Sequence, residues 1–321
     1  MILTVTPNPA LDCTWHVAAL TPGDSHRVGA GAERAGGKGI NVARVLHATG
    51  TDTLALATAG GATGDALALD LRAAGLAHRL VPVAASTRRS IAVVDDGRGE
   101  ATLLNERGAA LSPDEVTALL HTARTLAAGA AAVVLSGSLP AGIRSEDVGL
   151  LAADLVATGT IVIADVTGPA LMAAAEAGAH VVKPNAAELH ETTGCADVLT
   201  GARMLLERGA GLVIVSLGAD GMLLVGRTAP DRPLRARLRR TGPAPPPGAG
   251  AAACAAVVAA LVQRGSAADL TDDELAGLAR DAVAWSASAV LMPQAGEVSP
   301  ERERLAADVI FDTDLTELTC H

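Results

Sequence analysis

Short apolar, largely β-branched runs recur along the chain at Ile2–Thr6, Ala132–Leu135, Ile161–Ala164, His180–Val182, Leu212–Ser216 and Gly221–Val225. Between most of them lie Ala/Leu-rich stretches of helical length, such as Pro113–Ala128 and Asp147–Thr158. Strands separated by helical segments predict an α/β fold with a mostly parallel, doubly wound sheet and ligands at the strand C-terminal ends. One region breaks the rhythm. Ser90–Val94 and Ala101–Asn105 flank Asp95-Asp96-Gly97-Arg98-Gly99, which has the turn composition of a β-hairpin. Together with Cys13–Ala18 it predicts a small extra sheet, a lid built near 12–18 and 88–108. The Pro- and Arg-rich Asp231–Pro247 reads as an irregular connection. No repeat and no linker divides the chain, so residues 1–321 are expected to form one domain.

Composition sharpens this picture in three places. Half the residues are apolar, yet Phe, Trp and Tyr total only three, so Ala, Val and Leu must build the core. The formal charge of −10 argues against nucleic acid or an anionic membrane as partner, while leaving room for a local basic pocket. Cys13, Cys195, Cys254 and Cys320 lie far apart with no C-x-x-C pairing and read as reduced thiols. The N-terminus lacks a basic n-region and begins as a strand, and Ala249–Val262 is too short and too alanine-rich to span a membrane. A cytoplasmic protein is expected.

The densest chemistry lies in Arg34-Ala-Gly-Gly-Lys-Gly-Ile-Asn-Val-Ala-Arg44. Its glycines allow close backbone approach, Lys38 supplies a positive charge, and the residues after it read as the first turns of a helix. That combination suits a polyol or a phosphate. Asp12 reads as the end of a strand, where a carboxylate accepts two hydroxyl hydrogen bonds or simply makes a turn. Ser136-Gly-Ser-Leu-Pro140 follows a strand and suits either a ligand loop, with Ser138 exposed to it, or a plain turn. In Lys183-Pro-Asn-Ala-Ala-Glu188, Asn185 and Glu188 share one face of an opening helical turn. They suit the waters of Mg²⁺, or equally the capping of that helix. Ser216-Leu-Gly-Ala-Asp-Gly221 reads as a strand and a hairpin-like turn.

These segments occur in one order, with Thr6-Pro-Asn-Pro-Ala-Leu-Asp12 at the front and Gly60-Gly-Ala-Thr-Gly64 between the lysine loop and the Ser136 loop. The set resembles the PfkB (ribokinase-like) carbohydrate kinases from Thr4 to about Pro293, and within them the 1-phosphofructokinase and tagatose-6-phosphate kinase branch. The resemblance implies a three-layer α/β/α sandwich with a small β lid, and transfer of the γ-phosphate of Mg·ATP to a ketohexose phosphate. It implies that Asp12, Gly37, Asn41 and Ser138 meet the sugar, with Lys38 and Arg88 on its phosphate; alone, Arg88 would be a solvated lid charge. It implies that Lys183, Asn185, Ser216, Gly218 and Gly221 border ATP, that Asn185 and Glu188 serve Mg²⁺ through water, and that two copies pair through their lids.

The resemblance fails at one position. In these kinases a Gly-Ala-Gly-Asp loop supplies an anion hole and, in its aspartate, the general base. Here Gly248, Ala249 and Gly250 stand, followed by Ala251, and no Asp or Glu lies between Arg232 and Ala268. Ser90 and Arg107 also stand where the family usually has asparagine and proline. Three readings follow: a hexose-phosphate kinase with very low activity, a pseudokinase that binds sugar phosphate or nucleotide as a sensor or partner, or an enzyme with another base.

Overall fold

The computed structural model of the chain describes residues 1–239, 249–292 and 294–312. Strands β1 (Ile2–Thr6), β2 (Ala10–Val17) and β3 (Ala32–Gly36) lead to helix α1 (Lys38–Ala48), β4 (Thr53–Ala59) and α2 (Gly61–Ala73). There follow β5 (His78–Pro82), β6 (Arg88–Asp95), β7 (Glu100–Asn105), α3 (Pro113–Ala127), β8 (Ala132–Gly137), α4 (Ser145–Ala157) and β9 (Ile161–Val166). Next come α5 (Pro169–Glu176), β10 (Val181–Val182), α6 (Ala186–Thr193), α7 (Val198–Glu207), β11 (Leu212–Ser216), β12 (Met222–Gly226) and β13 (Leu234–Leu238). The described chain ends with α8 (Ala249–Arg264), α9 (Asp272–Val290), α10 (Arg302–Ala307) and β14 (Val309–Asp312).

The large sheet runs β14-β13-β12-β11-β10-β9-β8-β1-β4-β5, parallel from β5 to β11 and antiparallel beyond. From β1 the chain winds outward to β4 and β5, then returns to β8 on the other side of β1. The strand order therefore reverses at β1 and β8, and the crevice at their C-terminal ends is where such sheets bind ligands. One face is covered by α3, α4, α5, α6 and α7 through Leu119, Leu151, Leu171, Leu189 and Leu205. The other is covered by α1, α2, α8 and α9. Helix α8, mostly alanine and valine, is buried along most of its length. Its small side chains let it pack closely against α1 and α9, which is how the core forms with so few aromatic rings.

The lid is a separate four-stranded sheet in the order β3-β2-β6-β7, with β2 and β6 parallel and β6-β7 the expected hairpin. Three expectations need correction. Asp12 does not end a strand: it is the third residue of β2, opposite Arg34 of β3 and Ser90 of β6. The backbone runs on because both neighbours continue to pair with it. Ala32–Gly36 is a strand rather than the start of a glycine loop, which narrows the turn before α1 to Gly37, at φ 113°. Asp231–Pro247 is not irregular throughout, since Leu234–Leu238 pairs with both β12 and β14. No described helix is long and apolar enough to cross a membrane.

Candidate active site

Thr6, Ser136, Asp165 and Lys183 occupy adjacent positions across β1, β8, β9 and the end of β10, on the face that carries α1 and α8. The registers Val5↔Leu135, Ser136↔Asp165 and Val182↔Ala164 fix this row. Its members are 1%, 0%, 1% and 4% exposed. The Thr6 and Ser136 hydroxyl oxygens are buried with no hydrogen-bond partner among the described residues, and Asp165 Oδ2 meets the Lys183 ammonium at 3.4 Å. Buried polar atoms without partners mark a place where a ligand, water or ion belongs.

Two helix starts roof the row. A Cβ at Gly39 would overlap the Thr6 hydroxyl, so only glycine lets α1 sit this close to β1. A Cβ at Gly250 would lie 3.5 Å from Lys183 Nζ, which brings the start of α8 over the other end. The amide-rich, positive ends of both helices thus converge on the switch point beside two lysines, an arrangement made for anionic ligands. Gly248 lies outside the described residues. Ala249, Gly250 and Ala251 form the first turn of α8, and the Ala251 methyl is 4% exposed. At Cys254, one turn further on, burial, reinforced by Asp165, pushes the thiol up to about 12.

Lys38 Nζ donates to Glu188 Oε1 at 2.9 Å and to Asp165 Oδ1 at 3.3 Å. Lys183 Nζ lies 3.4 Å from Asp165 Oδ2. Burial works against ionised Asp165, but Lys183 and Lys38 outweigh it and hold its carboxyl below the usual range. Burial likewise opposes the Lys38 charge, and Asp165 and Glu188 reverse the balance and raise its pKa. Asn185 and Glu188 form a reciprocal capping box, Glu188 Oε2 accepting from Asn185 N at 2.9 Å and Asn185 Oδ1 from Glu188 N at 2.8 Å. The capping reading of this pair is therefore realised, and Glu188 additionally faces the cluster. Lys38 thus points to the two carboxylates of the row.

Arg88 is instead tied to the lid turn, donating through Nε to Asn8 O at 3.3 Å and through Nη1 to Glu106 O at 3.1 Å. Asn8 Nδ2 donates to Ser138 Oγ at 3.1 Å and to the Arg107 carbonyl at 3.0 Å. This network joins β1, the lid and the Ser136 loop. The Arg107 side chain takes no part in it, and Ser90 Oγ donates to Asn105 Oδ1 at 2.7 Å. Asp12 faces Arg88, Arg34 and Arg44, and a Cβ at Gly36 would overlap its carboxylate. Burial pushes the Asp12 carboxyl up to about 6, these arginines opposing. Asn41, buried on α1, lies beside Gly296.

Asn185 and Ser216 meet across a parallel bridge at the ends of β10 and β11, with Gly218 opening a short 3-10 turn. Gly221, at φ 86°, packs against the Ala236 carbonyl and so closes the β12–β13 pair. The sequence reading passes over Asp165 and Asn8. Asp165 had one signal, a carboxylate directly after the apolar run Ile161–Ala164; Asn8 sits inside the quoted Thr-Pro-Asn-Pro segment but has no property that singles it out.

The chain is 36% identical over 320 residues to the 1-phosphofructokinase of Xanthomonas campestris pv. campestris, covering 96% of each protein. It is 38% identical over 312 residues to that of Rhodobacter capsulatus, covering 95% of each. Its fold matches phosphofructokinase-2 from Escherichia coli in complex with fructose-6-phosphate, with a TM-score of 0.83 at 29% identity, over 95% of this chain and 98% of the other. The family model described as pfkB family carbohydrate kinase matches residues 9–302, the span from the lid's first strand to the start of α10. On this agreement of motif order, fold and sequence, the chain belongs to the pfkB family of carbohydrate kinases.

Proposed function

We propose that the chain is a sugar-phosphate kinase of the 1-phosphofructokinase type whose turnover is slow because Ala251 stands at the general-base position. The observation that carries this reading is the convergence of the α1 and α8 N-termini, Lys38 and Lys183 on one buried polar row. Asp12, Gly37, Asn41, Arg88 and Ser138 lie on its lid side; Asn185, Ser216, Gly218 and Gly221 lie on the β10–β11 side. The first group would hold the ketohexose phosphate and the second ATP, a reading supported by the relatives named 1-phosphofructokinase and by the similar structure in complex with fructose-6-phosphate.

In the step, an acceptor hydroxyl oxygen bonds to the γ-phosphorus as the bond from phosphorus to the bridging oxygen breaks, and ADP leaves with that electron pair. Gly250 and Ala251 amides at the start of α8, with Gly248 and Ala249 before them and Lys183 beside them, would stabilise charge on the moving phosphoryl group. The hydroxyl proton finds no carboxylate at 251 and must pass to water. Phosphoryl transfer rests mainly on positioning and charge stabilisation, so the loss of the base slows the step without abolishing the site.

Mg²⁺ fits the residues present. Asp165 and Glu188 offer the hard oxygens it prefers, which Lys38, Lys183 and the Asn185 amide hold in the free chain. Asn185 Oδ1 is already engaged as a helix cap. Among the described residues no three His, Cys, Asp or Glu side chains are grouped to hold a metal, so Mg²⁺ would keep waters and nucleotide oxygens as ligands. When bound, it would supply charge neutralisation at the β- and γ-phosphates.

The test is formation of fructose bisphosphate from fructose 1-phosphate and Mg·ATP, and the corresponding reaction of tagatose 6-phosphate, detected directly by mass spectrometry. Slow but enzyme-dependent product supports the kinase reading. Binding of either sugar phosphate with no product at all turns it into the pseudokinase reading, which the buried neutral Ala251 favours.

Asp12 makes acceptor binding pH-dependent in a defined direction. A carboxyl group accepts hydroxyl hydrogen bonds more strongly, and on both oxygens, when ionised, and a pKa of about 6 places that ionisation within the working range. The Asp12-dependent part of acceptor affinity is expected to grow as pH rises through about 6 and to weaken below it. Calorimetric titrations of the chain and of Asp12→Asn, subtracted at each pH, isolate it from ionisation of the ligand's own phosphate. A pH-independent difference rules it out. The lid's edge strand β7 is exposed along its length, with Leu103 and Leu104 on its surface, and is the face through which two copies would pair. Sedimentation showing only monomer at micromolar concentration would remove that assignment.

A further inference from the structure

Lys38 stands between two jobs. Its backbone is fixed, because Gly37 caps α1 in a conformation open to glycine and Gly39 is pressed against Thr6. Only the side chain can move, and it is 41% exposed. Its ammonium now occupies Asp165 Oδ1 and Glu188 Oε1, while Glu188 Oε2 accepts from Asn185 N. Both Glu188 oxygens are therefore already in use. A divalent cation drawn to this carboxylate pair would meet the Lys38 ammonium on the same oxygens, and like charges repel. On the other side, the Gly36-Gly37-Lys38 segment borders Asp12, whose carboxylate a Cβ at Gly36 would overlap. On the kinase reading, a phosphate brought in by the acceptor would compete as an anion for the same flexible side chain.

We propose that Lys38 couples the two substrate sites by exchange: it neutralises Asp165 and Glu188 in the free protein and leaves them for the acceptor's phosphate, which frees Asp165 Oδ1 and Glu188 Oε1 for the metal. The proposal rests on the kinase reading above. It assigns Lys38 a positioning role that acts through Glu188 and Asp165, and it explains why a lysine opens a helix whose start faces two carboxylates. Because coupling of binding sites is reciprocal, acceptor tightens metal binding and metal tightens acceptor binding by the same factor.

Mn²⁺ alone serves as the metal probe, its free concentration read by electron paramagnetic resonance, with and without saturating fructose 1-phosphate and with unphosphorylated fructose as control. Fructose 1-phosphate, and not fructose, is expected to tighten Mn²⁺ binding by about 5-fold or more, the lower range of ordinary coupling between sites. In Lys38→Met the competing ammonium is gone, so Mn²⁺ binds more tightly without any sugar phosphate and fructose 1-phosphate adds nothing. A Lys38→Met protein that binds Mn²⁺ no better than the unaltered chain, or that keeps the coupling, overturns the exchange. Glu188→Gln gives a metal-free check that does not depend on that variant folding. Its amide oxygen can still cap Asn185 while holding Lys38 less tightly, so fructose 1-phosphate affinity should rise; unchanged or weaker affinity overturns the exchange. If the unaltered chain binds both ligands without mutual effect, the exchange falls while the kinase reading stands. If it binds neither sugar phosphate, both fall together.

Discussion

Ala251→Asp is expected to raise the turnover of fructose 1-phosphate with Mg·ATP by at least about a hundredfold, the lower bound for a positioned general base. The fold accepts this change on three counts. Residue 251 is the third residue of α8, in the first turn, where a carboxylate is stabilised by the helix dipole. Lys183, whose ammonium approaches Gly250, supplies a nearby counter-charge. The cluster of Lys38 and Lys183 with Asp165 and Glu188 is formally neutral, so one more negative charge still leaves it close to balance and favours a bound dication. Activity that is equal in the two proteins would mean that another group takes the proton and that position 251 is not the base site. Sugar-phosphate binding without turnover in both would assign the scaffold to binding alone.

How far the chain can be read without its structure depends on whether the signal is local. Strands such as Ile161–Val166 and Leu212–Ser216 are buried over most of their length, so their apolar runs declare them. The β6–β7 hairpin declares itself through its turn residues. Ala32–Gly36 could not be found this way: Ala-Glu-Arg-Ala-Gly has no strand pattern and is extended because it pairs with β2. Thr53–Ala59, in an alanine-rich chain, reads as easily as helix as it does as strand, and its pairing with β1 and β5 decides. Leu234–Leu238 does alternate, but the arginines and prolines around it hid the period of two. The site follows the same rule. Asn185 and Glu188 are three residues apart and their joint geometry was legible. Lys38 and Asp165 are 127 residues apart, and only the crossover that lays β9 beside β8 brings them together.

Asp165 is therefore the residue whose removal should cost the fold most. It is 1% exposed and shared by two ammonium groups, one of which, on Lys183, is 5% exposed. Asp165→Asn leaves the Lys183 charge buried without its counter-ion, and breaking a buried pair in this way typically costs about 3–5 kcal/mol. Lys183→Met should cost less, since Lys38 still holds Asp165. The double variant should lose less than the two single losses summed, because each single change strands a charge that the other removes. The pH dependence has a definite sign. The Asp165 carboxyl is held below its ordinary value of 3.8, so its contribution is present above that pH and is lost as pH falls through the lower folded value. Asp165→Asn should accordingly flatten the acid limb of the stability curve as well as lower the curve at neutral pH. Urea midpoints for the four proteins at neutral and acid pH read both effects. Single variants that unfold within about 0.5 kcal/mol of the unaltered chain, the range of ordinary surface changes, would mean that water reaches the row and that its charges contribute to binding rather than to the fold.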